Sequence, residues 1–192
     1  SISDQVNEMS AVLDDLVDYS YGFNVKLLGI PEIQSENTEK ASGTTKLCVQ
    51  LFNSMGVDVA ITDIDIAHRV PSRSSESSGP KPIICKFVRR LSREDVMALR
   101  NEVRNIDPIA VGLDVEADLS KALIIDHLSP KKQDLFLEAK KFRKNYKYAY
   151  CWAKNSIIYL RRSQESRPIK VKDVSVLLRL AQEEMETNLT TY

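Results

Sequence analysis

Cations and aromatic rings crowd into residues 142–162, FRKNYKYAYCWAKNSIIYLRR. Lys/Arg stand at both ends, and Tyr146, Tyr148, Tyr150 and Trp152 fall at every second position between them. Basic side chains neutralise phosphates and release counterions, and rings stack on bases, so these residue types together have the chemistry of polyanion binding. The charge balance isolates the same segment. Residues 129–172 hold 13 Lys/Arg against 3 Asp/Glu, a balance of +10, in a chain that is formally neutral overall. Residues 1–60 hold 3 against 9, residues 61–128 hold 10 against 11, and residues 173–192 hold 1 against 4. Such asymmetry points to a polyanion-facing surface. Cations near a helix C-terminus also complement the macrodipole, so part of the clustering has a purely structural reading.

Lys140, Lys141, Arg143, Lys144 and Lys147 end a predicted helix, and Arg161 and Arg162 end the hairpin that follows. With its turn near Lys154-Asn155, that hairpin returns residues 161–162 to the side of residue 147, so the charges should meet in space. Strand alternation puts Tyr148, Tyr150 and Trp152 on one face and Ala149, Cys151 and Ala153 on the other. Large residues on one side and small ones on the other predict that helices cover one of the faces. The stripe is expected in the core, with base stacking as the alternative, above all at Tyr146 or Tyr148 near the charged end.

Catalytic chemistry has little to work with. His68 and His127 are isolated, and no GxSxG, CxxC, HExxH or glycine-rich phosphate loop is present. Asp63 and Asp65 lie at i, i+2, a spacing that solvent-facing strand carboxylates share with acid/base pairs. The expectation is a protein that is not an enzyme, with no cofactor, metal or small-molecule substrate. Cys48, Cys85 and Cys151 are odd in number and widely spaced, which predicts reduced thiols and a cytoplasmic protein, with the nucleus as a second compartment. No apolar run approaches the ~18 residues of a membrane span, and no membrane partner is expected. The chain opens on Ser1 rather than Met, as a piece of a longer protein would. The sequon Asn188-Leu189-Thr190 carries little weight without a secretory signal.

The elements that must position these residues can be read in order. Ile2, Val6, Met9, Leu13 and Leu16 follow steps of four and three, the a/d spacing of a coiled coil, so residues 1–22 are expected to be the end of a longer oligomerising helix. NVKLLGIPE reads as a strand, residues 39–55 as a helix stopped by Gly56, and VAITDIDIAHRV as a strand with Ile64 and Ile66 inward. PSRSSESSGPK reads as a loop, PIICKFVRR as a third strand, Ser92 as the cap of a helix reaching Ile106, and IAVGLDV as a fourth strand. The order β-α-β-β-α-β over residues 23–116 predicts a split βαβ domain like the RNA-recognition motif. Lys26 and Leu28 should share one face of its first strand; Lys86, Val88 and Arg90 should share one face of its third. Phe87 should turn inward with Ile83 and Cys85, leaving cations but no stacking platform outside. Ser129-Pro130 opens a helix to about Asn145, the hairpin and a short RPIKV strand follow, and Asp173 caps a last helix. Residues 117–186 thus predict a basic helix–hairpin–helix domain, with 187–192 as a tail. The fold class expected for the whole is α+β.

A heptad tail, LLGIPE, DIDIAHRVP before a variable loop, KPIICKFVRRLSRE, and LSPKKQDLFLEAKKFRKNYKYAYCWAKNSIIYLRR, in that order, resemble the first open-reading-frame protein of LINE-type retrotransposons over roughly residues 15–182. The C-terminal part is also similar to the baculovirus few-polyhedra protein. The resemblance implies a homotrimer built on the coiled coil that binds RNA and single-stranded DNA and acts as a nucleic-acid chaperone. By matching position it implies phosphate contacts at Arg89, Arg90, Lys140, Lys141, Arg143, Lys144, Lys147, Lys154, Arg161 and Arg162. Family members are clearly basic, whereas this chain is neutral with an acidic first third. A second functional class therefore stands beside the first: an assembly or scaffold protein whose basic domain meets an acidic protein surface.

Overall fold

The computed structural model describes residues 1–33, 39–71 and 79–189; most of the expected loop over 71–81 and the end of the tail lie outside them. The chain is α+β with an N-terminal helix, α1 (Ile2–Tyr21), and divides into two compact units. One comprises Gly22–His127; the other joins Ser1–Tyr21 to Leu128–Tyr192.

In the central unit, β1 (Asn24–Leu28), α2 (Ala41–Ser54), β2 (Ile64–Arg69), β3 (Ile83–Phe87), α3 (Arg90–Ala98) and β4 (Leu123–Asp126) build a four-stranded sheet in the order β2-β3-β1-β4. Every pairing in it is antiparallel. Alternation decides what is buried: Val25 and Leu27 of β1 and Ile83, Cys85 and Phe87 of β3 meet Leu47, Cys48, Leu51 and Phe52 of α2. The Phe52 and Phe87 rings lie 5.6 Å apart. Gly29 ends β1 at φ +70°, where an added Cβ would stand 3.1 Å from the Lys121 carbonyl oxygen, so the turn into Pro31 requires glycine.

Three expectations change here. Ile66 is exposed rather than inward, because a bulge between Ile64 and Ile66 gives β2 one extra residue and flips the face beyond it. The fourth strand is not IAVGLDV: Pro108–Val111 is a 3-10 turn capped by Asp107, whose carboxylate accepts the Ile109 amide at 3.1 Å. The cap-plus-proline signature outweighed the apolar run, and Leu123–Asp126 pairs with β1 instead. The unit accordingly extends to His127 rather than closing near 116. Finally, α3 starts at Arg90, so Ser92 lies inside it rather than at its cap; it ends at Ala98, and Arg100–Asn105 continue as a 3-10 turn.

In the terminal unit, α4 (Pro130–Asn145), β5 (Tyr150–Lys154), β6 (Ile157–Arg161), β7 (Ile169–Val171) and α5 (Val174–Leu189) surround a second core of Leu135, Ala139, Phe142, Ile158, Leu160, Val171, Leu177 and Leu180. The sheet is antiparallel in the order β5-β6-β7. Ser129 caps α4, accepting the Lys132 amide, with Pro130 at the first helical position. Asp173 accepts the Ser175 amide at 2.8 Å and caps α5. α1 buries no residue: Ile2, Val6, Met9, Leu13 and Leu16 are all exposed. Its opposite, acidic face meets the start of α4, where Asp14 pairs with Lys131, Asp18 lies 3.8 Å from Lys132, and the Ser129 hydroxyl donates to Asp18 at 2.5 Å.

Candidate nucleic-acid interface

The chain leaves α4 through a left-handed residue. Lys147 has φ +55°, and the Tyr148 amide bonds back to the Arg143 carbonyl at 2.9 Å, the closing bond of a Schellman turn. That turn carries Tyr148 into the core rather than onto a strand. Tyr148 is only 4% exposed, its ring edge-on to Phe142 at 5.3 Å, and Tyr146 stacks on Phe142 at 4.4 Å. Tyr148, expected as a base-stacking candidate, therefore presents no open ring, and half-buried Tyr146 has one ring face on Phe142, because both complete the helix stop. The Tyr148 hydroxyl donates to Glu184 at 3.0 Å, and burial raises its pKa above the ordinary phenol value.

The strand proper starts at Tyr150, and its alternation runs opposite to expectation. Cys151 faces Leu160 and Ala153 faces Ile158, the side covered by α4 and α5, so the small residues take the core side. The outer face carries the row Tyr150–Arg161 and the row Trp152–Tyr159–Lys170. Trp152 and Tyr159 stack on each other at 5.2 Å and 13°, and the Arg161 guanidinium lies 5.9 Å from the Tyr150 ring centroid. Tyr150 and Trp152, expected in the core, stand on this outer face instead, beside Tyr159 and Lys170, which the sequence did not single out. The deciding signal lay in the partner strand, where aliphatic Ile158 and Leu160 alternate with Tyr159 and Arg161.

The cations divide by what they touch. The Ala149 amide bonds the Arg162 carbonyl at 3.0 Å and the Arg143 guanidinium reaches the Ala149 carbonyl at 3.4 Å, so the end of α4, Lys147 and the end of β6 do converge. Lys140, Lys144 and Lys147 are exposed and make no ion pair among the described residues, although the Lys140 ammonium lies 4.1 Å from the Phe136 ring centroid. Lys141 is paired with Glu138 at 2.6 Å. Arg162 is taken by Glu184 and stands over the Tyr148 ring, holding α5 to the hairpin. Arg161 holds the Gln164 and Ser166 carbonyls. Lys154 lies at the other end of the hairpin, next to a two-residue turn of Asn155 and Ser156, both at positive φ, and is not part of the convergence.

In the central unit, Arg89 pairs with Asp63, Lys86 lies 3.9 Å from Asp65, and Arg90 stands 5.0 Å from the Phe23 ring centroid. The Ala60 amide and Arg89 hold the Asp63 carboxyl below its usual range. Asp63 lies in a turn and Asp65 at the bulge, each beside a different cation, Arg89 and Lys86. The strand positions on the face away from α2 carry Asn24, Lys26, Leu28, Ile66, His68, Ile84 (itself buried), Lys86, Leu123 and Ile125, and no Phe, Tyr or Trp. Two further arginines are structural. Arg69 binds Glu39 and the carbonyls of Ile30, Pro31 and Lys81, and buried Arg93 pairs with buried Asp126. Among the described residues no group of three or more His, Cys, Asp or Glu is placed to hold a metal ion, and no helix is long and apolar enough to cross a membrane.

No curated protein matches the chain. Residues 129–181, from the cap of α4 into α5, match the family described as Baculovirus FP protein domain 2. The C-terminal similarity expected from the residues is therefore present, and it covers the segment that holds most of the basic charge.

Proposed function

We propose that this is a non-enzymatic protein that binds RNA or single-stranded DNA through its terminal unit and self-associates through α1. The observation that carries the reading is the exposure of Lys140, Lys144 and Lys147, without ion pairs among the described residues, along the end of α4 in the +10 segment. Three ammonium groups on one helix end and its exit turn suit phosphate contact, which needs charge and reach rather than fixed geometry. The strand order of the central unit, β2-β3-β1-β4, is that of a split βαβ sandwich, an arrangement the RNA-recognition motif shares with domains that bind no nucleic acid. Without rings on its outward positions, that sheet serves phosphates in preference to bases.

For self-association, Val6 and Leu13 fall at a, and Ile2, Met9 and Leu16 at d, with Val12 and Val17 flanking them. The resemblance to the LINE-type proteins favours three strands over two. An assembly of several chains presents linked basic surfaces, and linkage offsets the modest affinity expected of a neutral chain.

RNA titrated against salt tests the reading. The slope of log K against log salt should be steep, and Lys140→Glu, Lys144→Glu and Lys147→Glu together should flatten it by roughly 0.7 for each single-strand phosphate left without its cation. A flat slope in the wild-type protein would sink the reading. A second class, an assembly protein with an acidic partner, is favoured by one observation: Asp14 and Asp18 of α1 already dock on Lys131 and Lys132. Binding to an acidic helix that RNA cannot displace would select it.

A further inference from the structure

The unpaired lysines lie along the helix end, yet the aromatic surface of the terminal unit lies elsewhere, on the outer face of the three-stranded sheet. We propose that this face is a base-stacking platform for single-stranded nucleic acid, with Tyr150, Trp152 and Tyr159 receiving bases and Lys154, Arg161 and Lys170 receiving phosphates. The inference rests on the nucleic-acid reading and adds how single strands are told from duplexes.

Four observations carry it. First, the rings stand on the side away from α4 and α5. The core beneath is complete without them, formed on the sheet by Ile158, Leu160 and Val171 with Cys151 and Ile169 against it. Tyr150 is 44% exposed, and the Trp152–Tyr159 stack runs from the edge strand β5 to β6. Second, the same face is cationic and carries no carboxylate: its outward positions on β5, β6 and β7 are Tyr150, Trp152, Lys154, Ile157, Tyr159, Arg161 and Lys170. Rings interleaved with cations, and no acid, complement a polymer that is anionic along its backbone and aromatic along its side groups.

Third, the spacing selects the strand state. Tyr150 and Trp152 are two residues apart on one strand, so their rings are rooted about 6.6 Å apart, nearly twice the ~3.4 Å base step of one duplex strand. Bases that reach both rings must be unstacked from each other, which a single strand allows and a duplex does not. Fourth, Arg161 is fixed by the Gln164 and Ser166 carbonyls beside the Tyr150 ring, so the cation nearest the platform is held in place before any ligand arrives.

Trp152 is the chain's sole tryptophan, so its fluorescence reports on the platform directly. The protein is titrated with a 12-nucleotide oligouridine and with a blunt RNA duplex of equal length. The single strand should quench Trp152 and shield it from acrylamide; the duplex should do neither. Trp152→Ala with Tyr159→Ala should weaken oligouridine binding by about fivefold or more per ring while leaving the salt slope unchanged, and Trp152→Phe should restore most of the loss.

The outcomes separate the two claims. If the double variant binds oligouridine as tightly as wild type while the three lysine variants are weakened, the platform falls and the phosphate reading stands. If wild type binds no nucleic acid, both fall. If the duplex quenches Trp152 equally, or an acidic peptide does so while oligouridine does not, the platform is overturned. Should the alanine variant fail to fold, wild-type acrylamide shielding decides alone: unchanged accessibility of Trp152 at saturating oligouridine rejects the proposal.

Discussion

His127 follows the last strand of the central sheet and sits 3.0 Å from the Asn24 side chain, with its Nδ1 toward the amide nitrogen. Burial first, then the charges of Lys26 and His68, push its pKa down to about 4 from the ordinary 6.5. In the window between those values the unfolded chain binds a proton that the folded chain refuses, so stability rises with pH there. The contribution is whole above about pH 6.5 and is lost as the pH falls toward 4. Thermal melts of wild type and His127→Gln between pH 7 and pH 4 should show the variant losing less stability; parallel curves would refute the assignment. Single residues also explain why counting cations in the sequence overstates the proposed binding surface. Arg69, Arg93 and Arg162 read as basic residues like any other, yet each is held by a carboxylate distant in sequence: Glu39, Asp126 and Glu184. Nothing local to an arginine announces a partner 20 or 30 residues away, so a charge count finds the basic segment but not its usable members.

Elements were legible where one period governed them. The faces of β1 and β3, the Ser129-Pro130 opening of α4 and the Asp173 cap of α5 follow from alternation and capping chemistry, which act over a few residues. The aromatic stripe was misread because two elements share it. Tyr146 and Tyr148 belong to a helix stop and only Tyr150 and Trp152 to a strand, so one alternation drawn through all four crosses a turn that resets it. That turn also holds a testable strain. Lys147 occupies the left-handed position where glycine is the usual residue, and an L-side chain there costs about 1 kcal/mol. Lys147→Gly should raise the denaturation free energy by about that amount and weaken RNA binding at the same time. Gain in both, or loss in both, would separate Lys147 from the binding surface.

At the scale of the whole molecule, α1 is amphipathic with its apolar face turned outward, which a lone chain has no reason to keep. The heptad could be read from spacing; the docking of its acidic side on α4 could not, because those pairs join residues more than 100 positions apart. Removing residues 1–20 should yield a monomer by light scattering. It should also weaken binding to long RNA by about a hundredfold or more while sparing a short oligonucleotide that one chain can fill, since only the long ligand gains from linkage. A mass unchanged by the deletion would place self-association elsewhere.

The contact between α1 and α4 has a mechanical consequence. The Ser129 oxygen caps α4 by accepting an amide, and the same hydroxyl reaches Asp18 through its proton, so the two duties use different parts of one group. Breaking the second leaves the first intact. The Asp14–Lys131 pair beside it, with Lys131 at 76% exposure, is of the kind worth about 1 kcal/mol or less and weakened by salt. The basic head is thus fastened to its stalk by a clasp that can open without unwinding a turn of either helix. If α1 gathers several chains as proposed, opening this clasp alone is expected to let each basic head follow a bent strand.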